Sequence, residues 1–187
     1  NEPFYVTNNS SMTREQLQAK LAKIGIDAPV SHLYSSALAT VKFVQANYPE
    51  ASVRVVGADG IRVAFADAGL AVVESGNADV LVMGIDRQIT YDKLAELCIV
   101  VQQGAVLIGT NEDVRFPSEE GFIPGNGSLV NLVANVSRVE PIFIGKPSPV
   151  MLELIASDHS LSKNEMVMVG DNYDTDILCG IRFGCRT

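Results

Sequence analysis

The stretch of sequence that decides the fold is Val80-Leu81-Val82-Met83-Gly84. A run of this length without a polar side chain is typical of a strand that is covered on both faces, as in a parallel sheet. Segments with helical or strand periodicity alternate on either side of it. They are a strand at Ser52–Val56, a helix at Ile61–Ala68, a strand at Ala71–Val73, a helix at Tyr91–Gln103 and a strand at Ala105–Ile108. This alternation predicts an α/β fold with a parallel sheet.

The same alternation continues toward both ends of the chain. The further elements are a strand at 4–6, a helix that contains Leu17, Leu21 and Ile24, a helix at Ser36–Asn47, a helix near Leu129–Val136, a strand at Pro141–Ile144, a helix at Pro149–Ser157 and a strand at Met166–Val169. Residues 109–128 interrupt this order with a polar stretch rich in glycine and proline. A long irregular loop of this kind is typical of a lid or a binding site.

The composition excludes several classes of protein. The 187 residues include 14 basic and 22 acidic side chains, a net charge of −8, and nucleic acids and anionic membranes repel so acidic a chain. No uncharged apolar run approaches the ~20 residues that span a bilayer. The cysteines, Cys98, Cys179 and Cys185, form no CxxC pair. We therefore expect no disulfide framework, no zinc site, no nucleic-acid partner and no membrane segment, and a cytoplasmic location.

Three polar turns each follow a short apolar stretch directly. They are Thr7–Ser10, Gly145–Ser148 and Gly170–Asp176. In parallel α/β sheets ligands bind at the carboxyl ends of the strands, so we expect these turns to converge on one pocket. Hydroxyl and amide groups, one ammonium group and three carboxylates would then meet there.

The acidic turn points to a hard metal ion. Asp171 comes directly after Gly170, and Asp176 lies near the start of the next predicted helix. Carboxylates this close repel each other unless a cation or a proton compensates. Mg²⁺ usually binds one or two carboxylates and keeps water and phosphate as its other ligands. The alternative is that Asp174 and Asp176 only cap the helix and complement its dipole.

The other two turns carry groups that suit an anion. Lys146 follows a predicted strand, where its ammonium group fits a phosphate or a cluster of carboxylates. An ordinary solvated loop lysine is the alternative. Thr7, Asn8 and Asn9 are able to donate hydrogen bonds to an anion, or else form a simple Asx turn.

These turns, in this order, resemble the haloacid dehalogenase superfamily, in particular its NagD-like and 4-nitrophenylphosphatase-like branch. The matching stretches are residues 5–10 (YVTNNS), 109–113 (GTNED), 124–128 (PGNGS), 144–149 (IGKPSP) and 169–177 (VGDNYDTDI). The match covers nearly the whole chain, and GDN followed by TDI is its most specific motif. The resemblance implies a Rossmann-like core and Mg²⁺-dependent hydrolysis of a small phosphorylated metabolite through an aspartyl-phosphate.

The resemblance also implies roles for individual residues. Thr7, Asn8 and Asn9 match the phosphate-binding turn, Lys146 the lysine that pairs with the nucleophile and the phosphoryl oxygens, Asp171 the magnesium ligand, Asp176 the acid that supports the metal shell, and Asn172 a polar residue near the phosphate. We therefore expect Lys146 and Asp176 to be catalytic and Asp171 to bind the metal.

A cap domain of type IIA is a further implication of the resemblance. It divides the chain into core residues 1–46, an inserted α/β cap at 47–140 and core residues 141–187. The cap would close over the site and select the substrate. Caps of this branch often mediate dimers, so a homodimer through the cap is expected as well.

The polar stretch 109–128 would be the part of the cap that faces the core. Its charged candidates for contact with the leaving group of a substrate are Asp113 and Arg115. The alternative is that Arg115 forms an exposed ion pair with Glu112 or Asp113, which would be worth about 0–1 kcal/mol.

The chain departs from the family at the nucleophile. The family's nucleophile is the first aspartate of a DxD motif followed by Gly-Thr or Gly-Val, and these 187 residues contain no such motif. The family places it upstream of the first turn and continues beyond Thr187. We therefore expect a chain that is truncated at both ends and inactive by itself. A non-catalytic module that binds a phosphorylated ligand is the second hypothesis, and a purely structural domain is the third.

Overall fold

A computed structural model describes residues 3–187 of the chain. The strands are β1 (Tyr5–Thr7), β2 (Leu33–Ser35), β3 (Val53–Val56), β4 (Val72–Val73), β5 (Val80–Met83), β6 (Val106–Gly109), β7 (Arg115–Ser118), β8 (Gly121–Pro124) and β9 (Ile142–Phe143). The helices are α1 (Arg14–Ala22), α2 (Ser36–Asn47), α3 (Asp59–Asp67), α4 (Tyr91–Gln102), α5 (Asn126–Ser137), α6 (Val150–His159) and α7 (Leu178–Phe183). A π-helical turn, Tyr173–Ile177, leads directly into α7.

Five parallel strands form the main sheet, in the order β4-β3-β5-β6-β9. Strand β5 lies at its centre, and all four of its residues are buried. Helices α2, α3 and α6 pack on one face, and α4 and α5 pack on the other. The prediction of an α/β fold on a doubly covered parallel sheet is therefore confirmed.

The main sheet extends past the predicted end of the cap. Ile142 of β9 pairs with Ile108 of β6, so the sheet includes residues on both sides of position 140. One buried cluster joins Val44 of α2, Phe65 of α3 and Met151 of α6. The division at 46 and 140 remains a prediction.

A second, smaller parallel pair is formed by β1 and β2. Residues 166–169, which were expected to form a strand, make a single bridge between Val167 and Arg186. Met166 and Met168 pack with α6 and α7 in a separate buried cluster.

The helix after β2 is capped as its sequence favours, because the Ser35 hydroxyl accepts from the backbone N–H of Leu38.

A buried polar network joins the turn after β1 to the carboxyl edge of the main sheet. The hydroxyl of Thr110 donates to Ser10 Oγ at 3.0 Å. The side-chain amide of Asn126 donates to the carbonyl of Met83 at 3.0 Å and to Thr110 Oγ1 at 3.3 Å. Ser10, Thr110 and Asn126 are all at most 2% exposed. Since buried hydrogen bonds are costly to break, this network holds the turn against the sheet.

The prediction of an irregular loop over residues 109–128 is wrong for 115–124. Strands β7 and β8 form an antiparallel hairpin there, with Arg115 opposite Pro124 and Ser118 opposite Gly121. Most of its residues are exposed, so it lacks the alternation of apolar and polar residues that marks a half-buried strand. Proline is tolerated because neither strand has a second neighbour that needs its N–H group.

Candidate active site

Four of the predicted site residues meet in the structure, and three of them follow strands. Asn8 follows β1, Asp113 follows β6, Lys146 follows β9, and Asp176 lies in the π-helical turn. Hydrogen bonds connect them in the order Asp113, Asn8, Lys146, Asp176. The expected convergence of turns from distant parts of the chain therefore occurs in the structure. We call these four residues the Lys146 cluster.

The ammonium group of Lys146 is held by two acceptors. Its Nζ lies 2.5 Å from Asp176 Oδ1 and donates to the carbonyl of Val6 at 3.3 Å. The two side chains of the ion pair are only 12% and 10% exposed. Lys146 is therefore not a solvated loop lysine, and the Asp176 carboxylate holds its ammonium group in position.

Asn8 joins Lys146 through its side chain. Asn8 Oδ1 accepts from the backbone N–H of Lys146 at 2.7 Å, and Asn8 Nδ2 donates to the Lys146 carbonyl at 3.0 Å. The carbonyl of Asn8 in turn accepts from the Ser36 hydroxyl at 2.7 Å and from Asn111 Nδ2 at 3.0 Å. The turn after β1 is thereby fixed to the turn after β9.

Asp113 approaches the cluster from the segment after β6. Its Oδ2 accepts from Asn8 Nδ2 at 3.3 Å. Burial raises the pKa of the Asp113 carboxyl, while the Asn8 hydrogen bond and the nearby Lys146 charge oppose the rise. Asp113 therefore contacts the turn that was predicted to bind phosphate.

Two glycines make these close approaches possible. A Cβ atom at Gly145 would lie 2.7 Å from both Asn8 Oδ1 and the carbonyl of Thr110. One at Gly170 would lie 2.2 Å from the Cβ atom of Asp176. A side chain at either position would displace a member of the cluster.

The other residues of the first turn hold its shape. Thr7 Oγ1 accepts from the backbone N–H of Asn9 at 3.2 Å. Asn9 Oδ1 accepts from the N–H groups of Ser11 and Met12, at 3.0 and 2.9 Å. The side chain of Asn9 therefore closes an Asx turn, as its alternative interpretation predicted.

The acidic turn divides into buried and exposed carboxylates. Asp176 is buried, and its Oδ2 accepts from the backbone N–H of Asn172 at 3.2 Å. Asn172 Oδ1 caps the π-helical turn by accepting from the N–H groups of Asp174 and Thr175. Asp171 is exposed. Asn172 is thus seen in a capping role, and Asp171 and Asp174 carry the exposed carboxylates of the turn.

Arg115 contacts an aromatic ring of its own hairpin. It is exposed on β7, and its guanidinium carbon lies 4.2 Å from the ring centroid of Phe122 on β8. This contact across the hairpin replaces the ion pair with Glu112 or Asp113 that was the alternative interpretation.

Comparisons with known proteins identify the family of this chain. A family model described as haloacid dehalogenase-like hydrolase matches residues 2–71, and one described as HAD-hydrolase-like matches residues 143–187. An acid sugar phosphatase of Staphylococcus aureus (strain MRSA252) is 44% identical over 184 residues, which are 98% of this chain and 71% of that protein. The chain belongs to the haloacid dehalogenase-like hydrolases.

Solved structures of this family have the same fold. A structure described as a putative p-nitrophenyl phosphatase from Bacillus subtilis has a TM-score of 0.92 and 41% identity, over 97% of this chain and 70% of that one. A 4-nitrophenylphosphatase from Thermotoga maritima has a TM-score of 0.90 and 29% identity, over the same shares of the two chains. The resemblance to the NagD-like and 4-nitrophenylphosphatase-like branch is thereby confirmed.

The carboxylates of this HAD-like hydrolase fit a magnesium ion that takes only some of its ligands from the described residues. Within residues 3–187, no group of three or more His, Cys, Asp or Glu side chains is arranged to hold a metal. Asp176 is engaged by Lys146 and by the Asn172 amide, so the accessible carboxylates of this turn are those of the exposed Asp171 and Asp174. One carboxylate with water and phosphate completing the shell is a usual arrangement for Mg²⁺.

Sequence reasoning missed two residues that shape the site of this HAD-like hydrolase. Ser36 and Asn111 both donate to the carbonyl of Asn8. Asn111 lies two residues after β6, so the rule that selected the other turns at strand ends would have found it. Ser36 begins α2 and has no comparable signal.

None of the helices in the part of the chain that the structure describes is long and apolar enough to cross a membrane.

Proposed function

We propose that this protein is a Mg²⁺-dependent phosphatase that hydrolyses small phosphomonoesters of the sugar-phosphate class. The observation that carries the proposal is the buried pair of Lys146 and Asp176 beside the turn after β1. The printed names of the relatives, an acid sugar phosphatase and 4-nitrophenylphosphatases, support the same class of substrate.

Lys146 would act as the fixed positive charge of the site. Its ammonium group would interact with the phosphoryl oxygens and offset the charge that develops during transfer. The Asp176 carboxylate and the Val6 carbonyl hold that group in place, so little reorganisation is needed when the substrate binds. The Thr7 hydroxyl is the proposed donor to the phosphate, since the N–H groups of Asn9, Ser11 and Met12 are already bonded within the turn.

The charges of the site favour a metal ion. Asp113 and Asp176 supply two carboxylates near one ammonium group, so a phosphate dianion requires further positive charge. Asp171 would hold the Mg²⁺, which when bound neutralises phosphate charge. The proposed nucleophile is an aspartate outside these 187 residues.

Substrate selection is proposed to lie with the segment after β6. Of the two charged residues expected to contact the leaving group, Asp113 lies in the Lys146 cluster and Arg115 lies on the hairpin.

A homodimer through residues 47–140 remains a prediction. Three unpaired cysteines support the cytoplasm as the proposed compartment.

The experiment is a panel of phosphate esters assayed with the complete protein, in Mg²⁺ and after chelation. Lys146→Met retains the aliphatic stem without the charge and should lower kcat by at least ~10²-fold. Asp171→Asn should abolish the Mg²⁺-dependent turnover. The matched control is Lys93→Met, which removes a different ion pair, 2.6 Å from Asp86, and should leave kcat unchanged.

Two results would contradict the proposal. Normal Mg²⁺-dependent kcat in Asp171→Asn would remove the metal assignment. Binding of sugar phosphates without turnover of any ester by the complete protein would instead support the non-catalytic binding module.

A further inference from the structure

We propose that the side chain of Asn8 is a positioning residue for Lys146 and not a ligand of the phosphate. The inference rests on the proposed function, and it changes the role that the resemblance implies for Asn8. It is carried by the hydrogen bonds of one side-chain amide and of the backbone around it.

The amide of Asn8 pairs with both backbone groups of Lys146. Asn8 Oδ1 accepts from the Lys146 N–H at 2.7 Å, and Asn8 Nδ2 donates to the Lys146 carbonyl at 3.0 Å. Two bonds to the same residue fix its orientation as well as its distance. The two residues are 138 positions apart, so this contact is a specific tertiary connection between two strand ends.

The donors of the Asn8 amide are already engaged. A primary amide has two N–H donors, and Asn8 Nδ2 lies within hydrogen-bond distance of the Lys146 carbonyl and of Asp113 Oδ2. The reverse orientation would place Oδ1 against those two acceptors and Nδ2 against the Lys146 N–H group. The surrounding groups therefore select the orientation that leaves no N–H for a phosphate oxygen.

Asn8 is itself held from two other elements. Ser36 Oγ of α2 and Asn111 Nδ2 after β6 both donate to its carbonyl, at 2.7 and 3.0 Å. A rigid frame thus extends through Asn8 to the backbone of Lys146, and from there along the lysine stem to its ammonium group. Because a displacement of about 1 Å in a catalytic group is able to cost ~10²-fold in rate, such a frame would matter for turnover.

A double-mutant cycle with Lys146 tests this role directly. If Asn8 acts through Lys146, Asn8→Ala should lower kcat by about 10- to 100-fold in the wild-type background. The same substitution should lower kcat by less than about 2-fold in Lys146→Met, where no ammonium group remains to be positioned. Asn8→Leu, which approximates the size of the side chain and removes its donor and acceptor without adding a charge, should behave like Asn8→Ala and covers the case in which the alanine variant does not fold.

The cycle is repeated with the dissociation constant of inorganic phosphate, which needs no turnover. Loss of a direct phosphate ligand would weaken binding by the same factor in both backgrounds, and such multiplicative losses would overturn the proposal. If the complete protein binds phosphate but hydrolyses no ester, the proposed function fails while the binding cycle still decides the role of Asn8. Asn47→Ala is the matched control, since Asn47 Nδ2 donates to the Phe43 carbonyl at an exposed helix end, and it should change neither quantity.

Discussion

Lys146 Nζ and Asp176 Oδ1 lie 2.5 Å apart although 30 positions separate the two residues in the sequence. The pair is nearly buried, and its carboxylate receives a second hydrogen bond from the backbone N–H of Asn172. A buried charge that loses its partner is left without solvation or compensation. This ion pair therefore stabilises the fold and also holds the positive charge of the site in place.

The first prediction concerns this ion pair. Asp176→Ala leaves the Lys146 ammonium group uncompensated, so we expect the free energy of unfolding of the complete protein to fall by about 3–5 kcal/mol. The double variant Lys146→Met/Asp176→Leu should lose less than Asp176→Ala alone. Urea unfolding measures both values, and a loss below ~1 kcal/mol in Asp176→Ala would contradict the prediction.

The second prediction concerns substrate selection. Asp113→Ala should change kcat/KM unequally among phosphate esters, because specificity is a difference between substrates. The rate with 4-nitrophenyl phosphate should be nearly retained. The same measurements on Arg115→Ala test whether the exposed arginine contributes. A uniform loss across all esters would indicate that the segment supports the fold and does not select the substrate.

The third prediction concerns the hairpin of β7 and β8. The Arg115 guanidinium lies over the Phe122 ring, so Arg115→Ala and Phe122→Ala should show a coupling energy of about 0.5–1 kcal/mol in a double-mutant cycle. Thermal unfolding of the four proteins measures it. Additive effects would mean that the contact contributes nothing to stability.

The fourth prediction concerns stability in alkali. Burial and a hydrogen bond to Asp158 raise the pKa of Tyr34 from 10.0 to about 12. The unfolded chain loses this proton first, so stability should fall as the pH rises from 10 toward 12, by at most about 1.4 kcal/mol per pH unit. Tyr34→Phe should show a shallower fall over that range. Tyr91, which is 84% exposed, supplies the control, since Tyr91→Phe should follow the wild type.

The fifth prediction concerns the three thiols. Burial raises the pKa of Cys98, and it raises that of Cys179 to about 11. Because the thiolate is the reactive form, iodoacetamide at pH 8 should modify the half-buried Cys185 first. Peptide mass spectrometry gives the three rates. Equal labelling of Cys179 and Cys185 in the folded protein would refute this order.

Local patterns predicted most of the main sheet and its helices. The apolar run 80–84 gave a buried central strand, and Ser36–Asn47 is a helix with the predicted bounds. The rule that ligands bind at the carboxyl ends of parallel strands predicted that the turns of Lys146 and Asp176 lie close together. These features are visible in sequence because burial, periodicity and helix capping act over a few neighbouring residues.

Long-range contacts account for what the sequence did not predict. The partners of the Asn8 amide lie 105 and 138 positions away, and no local pattern distinguishes such a residue from a ligand of an anion. The hairpin at 115–124 was missed because its exposed strands show no apolar alternation. Arg115 was expected at the site because it is charged and lies in the polar stretch 109–128. The packing of its guanidinium on Phe122 depends on the register of that hairpin.

The buried network of Ser10, Thr110 and Asn126 limits how segments of related phosphatases are exchanged. A chimera that takes the main sheet from one parent and the turn after β1 from another would place hydroxyl and amide groups of different origin against each other without water. An unmatched buried hydroxyl destabilises the fold. Breakpoints for engineering new specificities should therefore transfer residues 8–12 together with the sheet on which they rest.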